Sequence, residues 1–451
     1  MERTNSNILQ RENSEFELHF SQEEDNDNNK TDLELKQKKS QKNDNENKYN
    51  LEKDEENISE ILTDNDEEYS DQIYINNQAQ TYYEKQEVIS MLTRQNLETA
   101  DLRYFHNWIK SIIISKYSKQ SQLIIQKEED LTNCSNQLYV LEIGCGKGGD
   151  LKKWLHADIA FYIGVDISLN SLKEAHRRAT QIMEQLPKKL MQKKFKFGFY
   201  QKDGTVPKEE FWKYIISEKF ANDSKKGFNF DIVSCQMCMH YMFSNEQNAK
   251  NFFDNATSKL NNNGFLLLTF SDSNSIVKKM RNRSFKNDEG EYIFQNKYFS
   301  MKFKNLDFPD KNGLYGLKYD FYLQDAVGEK DSEGQIKYVS EYLVEINNLI
   351  ELAYDYKLEV VENANFIDFY QQYKYEYKDL FSKMQLNFNE EHPQIDKDLW
   401  EVSHCYRVIV FKKVDLVKKR FKFHRGTAYK QIHEIPVPIN YSKNPTGIQI
   451  K

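Results

Sequence analysis

Four glycines crowd one short stretch, YVLEIGCGKGGD at 139–150, where they occupy positions 144, 146, 148 and 149. An apolar run that breaks into glycines and then opens LKKWLHAD reads as strand, loop and helix start. Glycines let the chain turn sharply and let a ligand touch backbone. The N–H groups of the helix start that follows are free to meet that ligand. Asp166 lies 22 residues beyond Gly144 at the end of the next apolar run. A carboxylate placed there can hold both hydroxyls of an adenosine-type ribose. Alone, the pattern says only that a nucleotide-like cofactor binds. Two details narrow it: the order is G-x-G-x-G-G rather than G-x-G-x-x-G, and Glu142 stands two residues ahead of Gly144. An acidic residue there repels a pyrophosphate but suits the sulfonium and amino group of S-adenosylmethionine, which is favoured over NAD.

Further polar residues fall at the ends of later apolar runs. Asp203 sits in QKDG, where it is either a turn residue or a binder of the adenine amino group. Gln236, His240 and Tyr241 end the fourth run, at the edge where open α/β sheets take ligands. A lone histidine there would more often be structural; Gln and Tyr beside it turn the reading toward a site. Cys235 and Cys238 make a C-x-x-C. Zinc would need two more ligands at matching spacing, and none stands out. A redox pair is not excluded by position, but buried small residues are the preferred reading.

Positioning these residues requires a repeating scaffold. Strands are predicted in 139–143, FYIGVDIS (161–168), FKFGFYQKD (195–203), FNFDIVSCQ (228–236), GFLLLTF (264–270), LEVVE (358–362) and YRVIVFKK (406–413). Helical patterns alternate with most of them, which implies a parallel sheet with helices on both faces. Upstream, Leu102, Phe105, Ile109 and Ile112 recur at helical spacing, and Arg103, Asn107 and Lys110 share the opposite face. Residues 271–338 read as irregular, polar and aromatic. A helix is predicted over 340–356, with Leu343, Ile346, Ile350 and Ala353 on one face.

Charge divides the chain of 451 residues into three. Residues 1–90 hold 24 acidic against 10 basic groups, whereas 412–451 hold 10 basic against 2 acidic, and the stretch between is near neutral. Residues 1–95 therefore read as a disordered acidic arm, too poor in aliphatics to offset ~1–2 kcal/mol of backbone entropy per residue. Residues 96–413 read as the ordered domain and 414–451 as a basic tail. No run approaches the ~20 apolar residues of a membrane-spanning helix, and MERTNSNILQ lacks the apolar core of a secretion signal. Five irregularly spaced cysteines make no disulfide framework. The expectation is a cytosolic or nuclear protein with reduced thiols and no membrane association.

Several dispersed segments resemble the eukaryotic mRNA cap guanine-N7 methyltransferases: LRYFHNWIKS, VLEIGCGKGGDLKKW, the strand carrying Asp166, CQMCMHYMF, LYGLKYDFYL, SEYLVEI and WEVSHCYRVIVF, from about residue 100 to 413. The glycine loop alone is widespread. Followed by GDLKKW, with NW-x-K upstream and Q-x-x-x-H-Y downstream, it is far more restrictive. The resemblance implies an α/β, Rossmann-like class I methyltransferase fold, with a seven-stranded, mostly parallel sheet flanked by helices and insertions forming a cap-binding face. It implies that Lys110, Gly144, Asp166, Asp203, Gln236 and Tyr241 bind S-adenosylmethionine, with Gly146 in the same loop. His106 and Asn107 fall where the family contacts the cap. Lys147, Lys153 and Arg178 match basic positions suited to the cap's triphosphate bridge, and His240, Glu341 and Tyr406 match positions around the guanine. One departure stands out: the family usually has Pro-Asn-Ser after the fifth strand, and here the segment is Ser271-Asp272-Ser273.

The reaction so implied moves a methyl from S-adenosylmethionine to guanine N7 of GpppN-capped RNA. N7 carries a lone pair and no proton, so His240, Glu341 and Tyr406 serve positioning and electrostatics, and no general base is needed. The implied setting is the nucleus, where a monomeric catalytic domain meets the capped 5′ end of nascent mRNA beside RNA guanylyltransferase, RNA polymerase II or an activating subunit. From spacing alone the reading stops at a transferase that uses S-adenosylmethionine. A small-molecule methyltransferase would lack the Glu341 and Tyr406 contacts. A non-catalytic relative would fail to bind the donor, and the loop pattern disfavours an NAD-linked dehydrogenase.

Overall fold

The computed structural model describes residues 78–86, 93, 95–129, 138–185, 196–215, 229–309, 313–389 and 392–415. Most of the acidic arm and nearly all of the basic tail lie outside the described residues. Helix α1 (Gln78–Lys85) precedes a 30-residue helix, α2 (Ala100–Glu129). Five strands follow with helices between them: β1 (Leu138–Ile143), α3 (Leu151–His156), β2 (Ile159–Asp166), α4 (Leu169–Gln185), β3 (Lys196–Gln201), β4 (Phe230–Gln236), α5 (Glu246–Ser258) and β5 (Leu260–Ser271). Then come α6 (Ser273–Arg283), β6 (Phe285–Lys286), β7 (Tyr292–Gln295), β8 (Phe299–Phe303), β9 (Lys318–Leu323), β10 (Glu329–Lys330), β11 (Ile336–Lys337) and β12 (Val339–Tyr342). The chain closes with α7 (Ile346–Asp355), β13 (Leu358–Asn365), α8 (Phe366–Tyr373), α9 (Lys397–Ser403) and β14 (Tyr406–Lys413).

The large sheet has seven strands in the order β13-β14-β5-β4-β1-β2-β3. β1 to β5 run parallel, and β14 is antiparallel to both its neighbours. The central strands are buried along nearly their whole length, so they read as continuous apolar runs rather than alternating ones. One face packs on α2 through Phe105, Trp108, Ile109 and Ile112, and the other on α5 and α7 through Phe252, Phe253, Leu349 and Ala353. This is the doubly covered α/β sheet that the alternation of elements predicted.

Three expectations need correction. Residues 78–86 fall in the segment read as disordered, yet α1 is an ordered helix whose Tyr82 is buried, and its hydroxyl donates to Gly328 O at 3.3 Å. Two tyrosines among polar residues carry no period, so the helix escapes a pattern search. Residues 271–338 are not irregular: they hold α6 and most of a five-stranded antiparallel sheet, β12-β9-β8-β7-β6. The helix predicted over 340–356 begins only at Ile346. Val339–Tyr342 is instead a strand paired antiparallel with β9, and Glu345 caps the helix by accepting from Asn348 N at 2.6 Å.

Asp272 ties the last strands together. It is wholly buried; its Oδ1 accepts from Asn274 N and Ser275 N at the start of α6. Its Oδ2 accepts from Arg407 of β14 (3.0 and 2.9 Å) and from Asn365 of β13 (2.8 Å). Removing one partner of a buried ion pair leaves an uncompensated charge, which costs about 3–5 kcal/mol. Asp272→Ala should lose stability on that scale in urea unfolding, whereas Asp272→Asn, which keeps a cap acceptor, should lose less.

Candidate active site

The glycine loop crosses the C-terminal end of β2. Gly144 N and Cys145 N both donate to Val165 O, at 2.7 and 3.1 Å. Gly144 has φ +74°, and a Cβ there would lie 2.5 Å from Cys238 Sγ, so conformation and space both demand glycine. Gly146 N donates to Asp166 Oδ2 at 2.8 Å, and Ser168 N donates to Oδ1 at 2.9 Å. Asp166 thus closes the loop with one carboxylate. Burial pushes its carboxyl pKa up, opposed by these backbone donors. A Cβ on Gly146 or Gly149 would meet nothing within 4 Å, so the space above the loop is open.

Around that space, Asp203 Oδ1 accepts from Thr205 N and Thr205 Oγ1 (2.8 and 2.7 Å), a turn that leaves Oδ2 without a hydrogen bond from the described residues. Gln236 is held in the sheet, donating to Ser234 Oγ (3.0 Å) and accepting from Thr269 Oγ1 (2.9 Å). Glu142 does not serve as the sequence suggested. Its Oε2 accepts from Tyr162 (2.6 Å) and Trp154 (3.3 Å) in the core, and burial, with Asp150 nearby, raises its carboxyl pKa to about 8. A carboxyl so raised favours its neutral form near pH 7.

The exposed face of α2 meets the same loop. Lys110 and Lys153 both pair with buried Asp150, at 2.9 and 2.7 Å, and Lys153 also donates to Asn107 Oδ1 at 3.0 Å. Burial opposes ionisation of Asp150, but the two ammonium groups win and hold its carboxyl well below the usual range. The other two basic candidates point elsewhere. Lys147 donates to Gln86 O of the α1 segment at 3.0 Å, and Arg178 pairs with Glu174 of its own helix at 2.6 Å.

A second cluster stands beside the loop. His240 and Tyr241 come from a 3-10 turn, Met239–Ser244, that follows β4. His240 Nε2 lies 3.5 Å from Glu341 Oε1, and both residues are buried. Tyr406, at the start of β14, packs edge-on to His106 (5.0 Å between ring centres) and near Phe366 (5.7 Å). His106 Nε2 and His240 Nδ1 are buried without a hydrogen-bond partner among the described residues. Burial is costly for such atoms unless a partner arrives, so both suit a ligand-binding crevice. Burial also lowers both histidine pKa values, that of His106 to about 3, with the Lys110 charge contributing.

Sequence reasoning missed four contributors. Tyr83 reaches from α1 to within 3.2 Å of the Tyr241 hydroxyl. Tyr319 and Ser271 both donate to Glu341 Oε2. Asp150 ends the glycine motif, and the two lysines just after it at the helix start are its sequence signal.

A family model for the mRNA (guanine-N(7))-methyltransferase domain matches residues 66–414. The chain belongs to that family. It is 29% identical over 325 residues to the mRNA cap guanine-N(7) methyltransferase 1 of Oryza sativa subsp. japonica, covering 71% of this chain and 76% of the relative. It is likewise 29% identical to the mRNA cap guanine-N(7) methyltransferase of Schizosaccharomyces pombe (74% and 81% covered) and 27% identical to that of Drosophila melanogaster (71% and 73%).

The His106 environment sets a pH dependence. The unfolded chain binds a proton on this ring below its ordinary value of 6.5, the folded chain only near 3. Stability from this group is therefore present above pH 6.5 and lost as pH falls, by up to about 1.4 kcal/mol per pH unit. Urea unfolding at pH 7, 6 and 5 should show a shallower pH slope for His106→Gln than for the natural protein.

Proposed function

We propose that the space above the glycine loop holds S-adenosylmethionine and that the His240–Glu341–Tyr406 cluster holds the terminal guanine of GpppN-capped mRNA, with methyl transfer to N7. The observation that carries this reading is the adjacency of the two halves: Cys238, two residues before His240, lies against Gly144 of the loop, and Glu341 faces His240 at 3.5 Å. The open positions at Gly146 and Gly149 suit a close-lying cofactor, which supplies an activated methyl on a sulfonium. Asp166 would hold the ribose hydroxyls and Asp203 Oδ2 the adenine amino group, with Gln236 and Gly144 forming the crevice wall. Lys110 serves through its pair with Asp150.

Guanine N7 has no proton to lose, so the two neutral histidines need not act as bases. His106, Tyr406 and Tyr241 wall the base. Asn107 and Lys153 form a joined pair suited to the cap's bridging phosphates. Lys147 and Arg178, which contact Gln86 O and Glu174, keep further N–H donors for that bridge. Orientation of donor and acceptor can supply ~7–11 kcal/mol of the barrier. Methylated guanine gains positive charge, and a buried carboxylate beside it favours that charge where water does not screen it. We read 96–413 as the catalytic domain, with α1 added to it, and the basic tail as an accessory RNA contact. The substrate is the product of guanylyl transfer to nascent RNA. That chemistry favours work in the nucleus beside RNA guanylyltransferase and RNA polymerase II, alone or with an activating subunit.

Labelled S-adenosylmethionine incubated with GpppA-RNA, pppA-RNA and GTP, followed by nuclease digestion, should give m7GpppA from the first. Label on ribose oxygens would overturn the reading. Glu341→Ala should lower kcat/KM for capped RNA by roughly 100-fold, with the dissociation constant for S-adenosylmethionine little changed. A collapse of donor binding in that variant would remove Glu341 from the guanine side.

A further inference from the structure

We propose that Ser271 and Tyr319 are positioning residues that act through Glu341: they hold its Oε2 and leave Oε1 as the one carboxylate oxygen offered to the guanine edge. The proposal rests on the guanine-side reading given above and adds which atoms recognise the base and what aims them.

The register of two sheets creates the arrangement. Tyr319 on β9 is the direct cross-strand partner of Glu341 on β12, so their side chains rise from the same face. Ser271, the last residue of β5 in the large sheet, is the cross-strand partner of Tyr406 on β14. The Tyr319 hydroxyl and Ser271 Oγ (3.2 Å) both donate to Oε2 of Glu341. All three residues are at most 3% exposed, so water does not compete for that oxygen. An ionised carboxylate accepts only, about two hydrogen bonds at each oxygen, and Oε2 is thereby filled. Among the described residues Oε1 has only the long contact to His240 Nε2, at 3.5 Å.

The donors are themselves fixed. The Tyr319 ring stacks on Phe303, with centres 5.2 Å apart and planes within 5°. Burial and the Glu341 charge push its phenol pKa far up, so the hydroxyl keeps its proton. Ser271 is the second donor on Oε2, and it pins a carboxylate on the inserted sheet to a strand of the large one.

The test uses the purified full chain with GpppA-capped RNA. Ser271→Ala and Tyr319→Phe should each raise the KM for capped RNA about tenfold, with kcat within about threefold and the KM for S-adenosylmethionine within about twofold. Ser271→Thr, which restores the hydroxyl, should behave nearly as the natural protein. Tyr319→Phe removes a single oxygen from a stacked ring, so it tests the idea even if Ser271→Ala folds poorly. The proposal is overturned if both variants leave the capped-RNA KM unchanged, or raise both KM values alike as a structural defect would. It is also overturned if Ser271→Thr is as impaired as Ser271→Ala. A natural protein that makes no m7GpppA would instead overturn the function itself; an active one with silent variants removes only this inference.

Discussion

Two buried carboxylates face one crevice, and the contrast between their partners governs its chemistry. Asp150 is matched by two ammonium groups, Lys110 and Lys153, and is electrically spent. Glu341 has no lysine or arginine within 4 Å among the described residues; hydroxyl donors and a histidine whose pKa is lowered by burial surround it. Desolvated charge of that kind is costly unless hydrogen bonds satisfy it, and Tyr319 and Ser271 supply them. In the proposed function this carboxylate lies beside a ligand that becomes positive during reaction. Methylation at guanine N7 creates such a ligand.

The fold separates the two tasks. The parallel half of the large sheet brings the loop of Gly144 and Gly146 against Asp166, and this part depends only on neighbouring strands. The proposed guanine side is assembled from distant pieces: the turn after β4, the end of β5, the inserted sheet, the start of β14 and the α2 face with His106. α1 then bridges the halves, through Tyr83 to Tyr241, Lys147 to Gln86 O, and Tyr82 to Gly328 O. A methyl transfer with no proton to remove asks mainly for rigidity, and these cross-links provide it.

How legible each part was follows from contact range. The strands that form the sheet centre were readable because burial on both faces demands continuous apolar runs. Gly144 and Asp166 were readable because a tight turn and a capping carboxylate are local needs. Glu341 was placed on a helix by residue pattern, since Leu343, Ile346, Ile350 and Ala353 extend a helical period back across the β12 segment. Only pairing with β9 decides that 339–342 is strand, and that pairing has no local signature. Glu142 misled for a related reason: its spacing fits a cofactor contact, but Tyr162 and Trp154, brought beneath it by β2 and α3, claim the carboxylate.

The amino-acid sequence by itself determined the α/β scaffold, the loop that cradles a nucleotide-like cofactor and the carboxylate that closes it, because periodicity and turn chemistry act over a few residues. Tertiary structure alone decided that Lys110 and Lys153 share Asp150, that Tyr83 meets Tyr241, and that Ser271 and Tyr319 hold Glu341. Those choices depend on hydrogen bonds between residues as far apart as 70 positions for Ser271 and Glu341 and 158 for Tyr83 and Tyr241. Directional contacts of that range exist only once the sheets have docked.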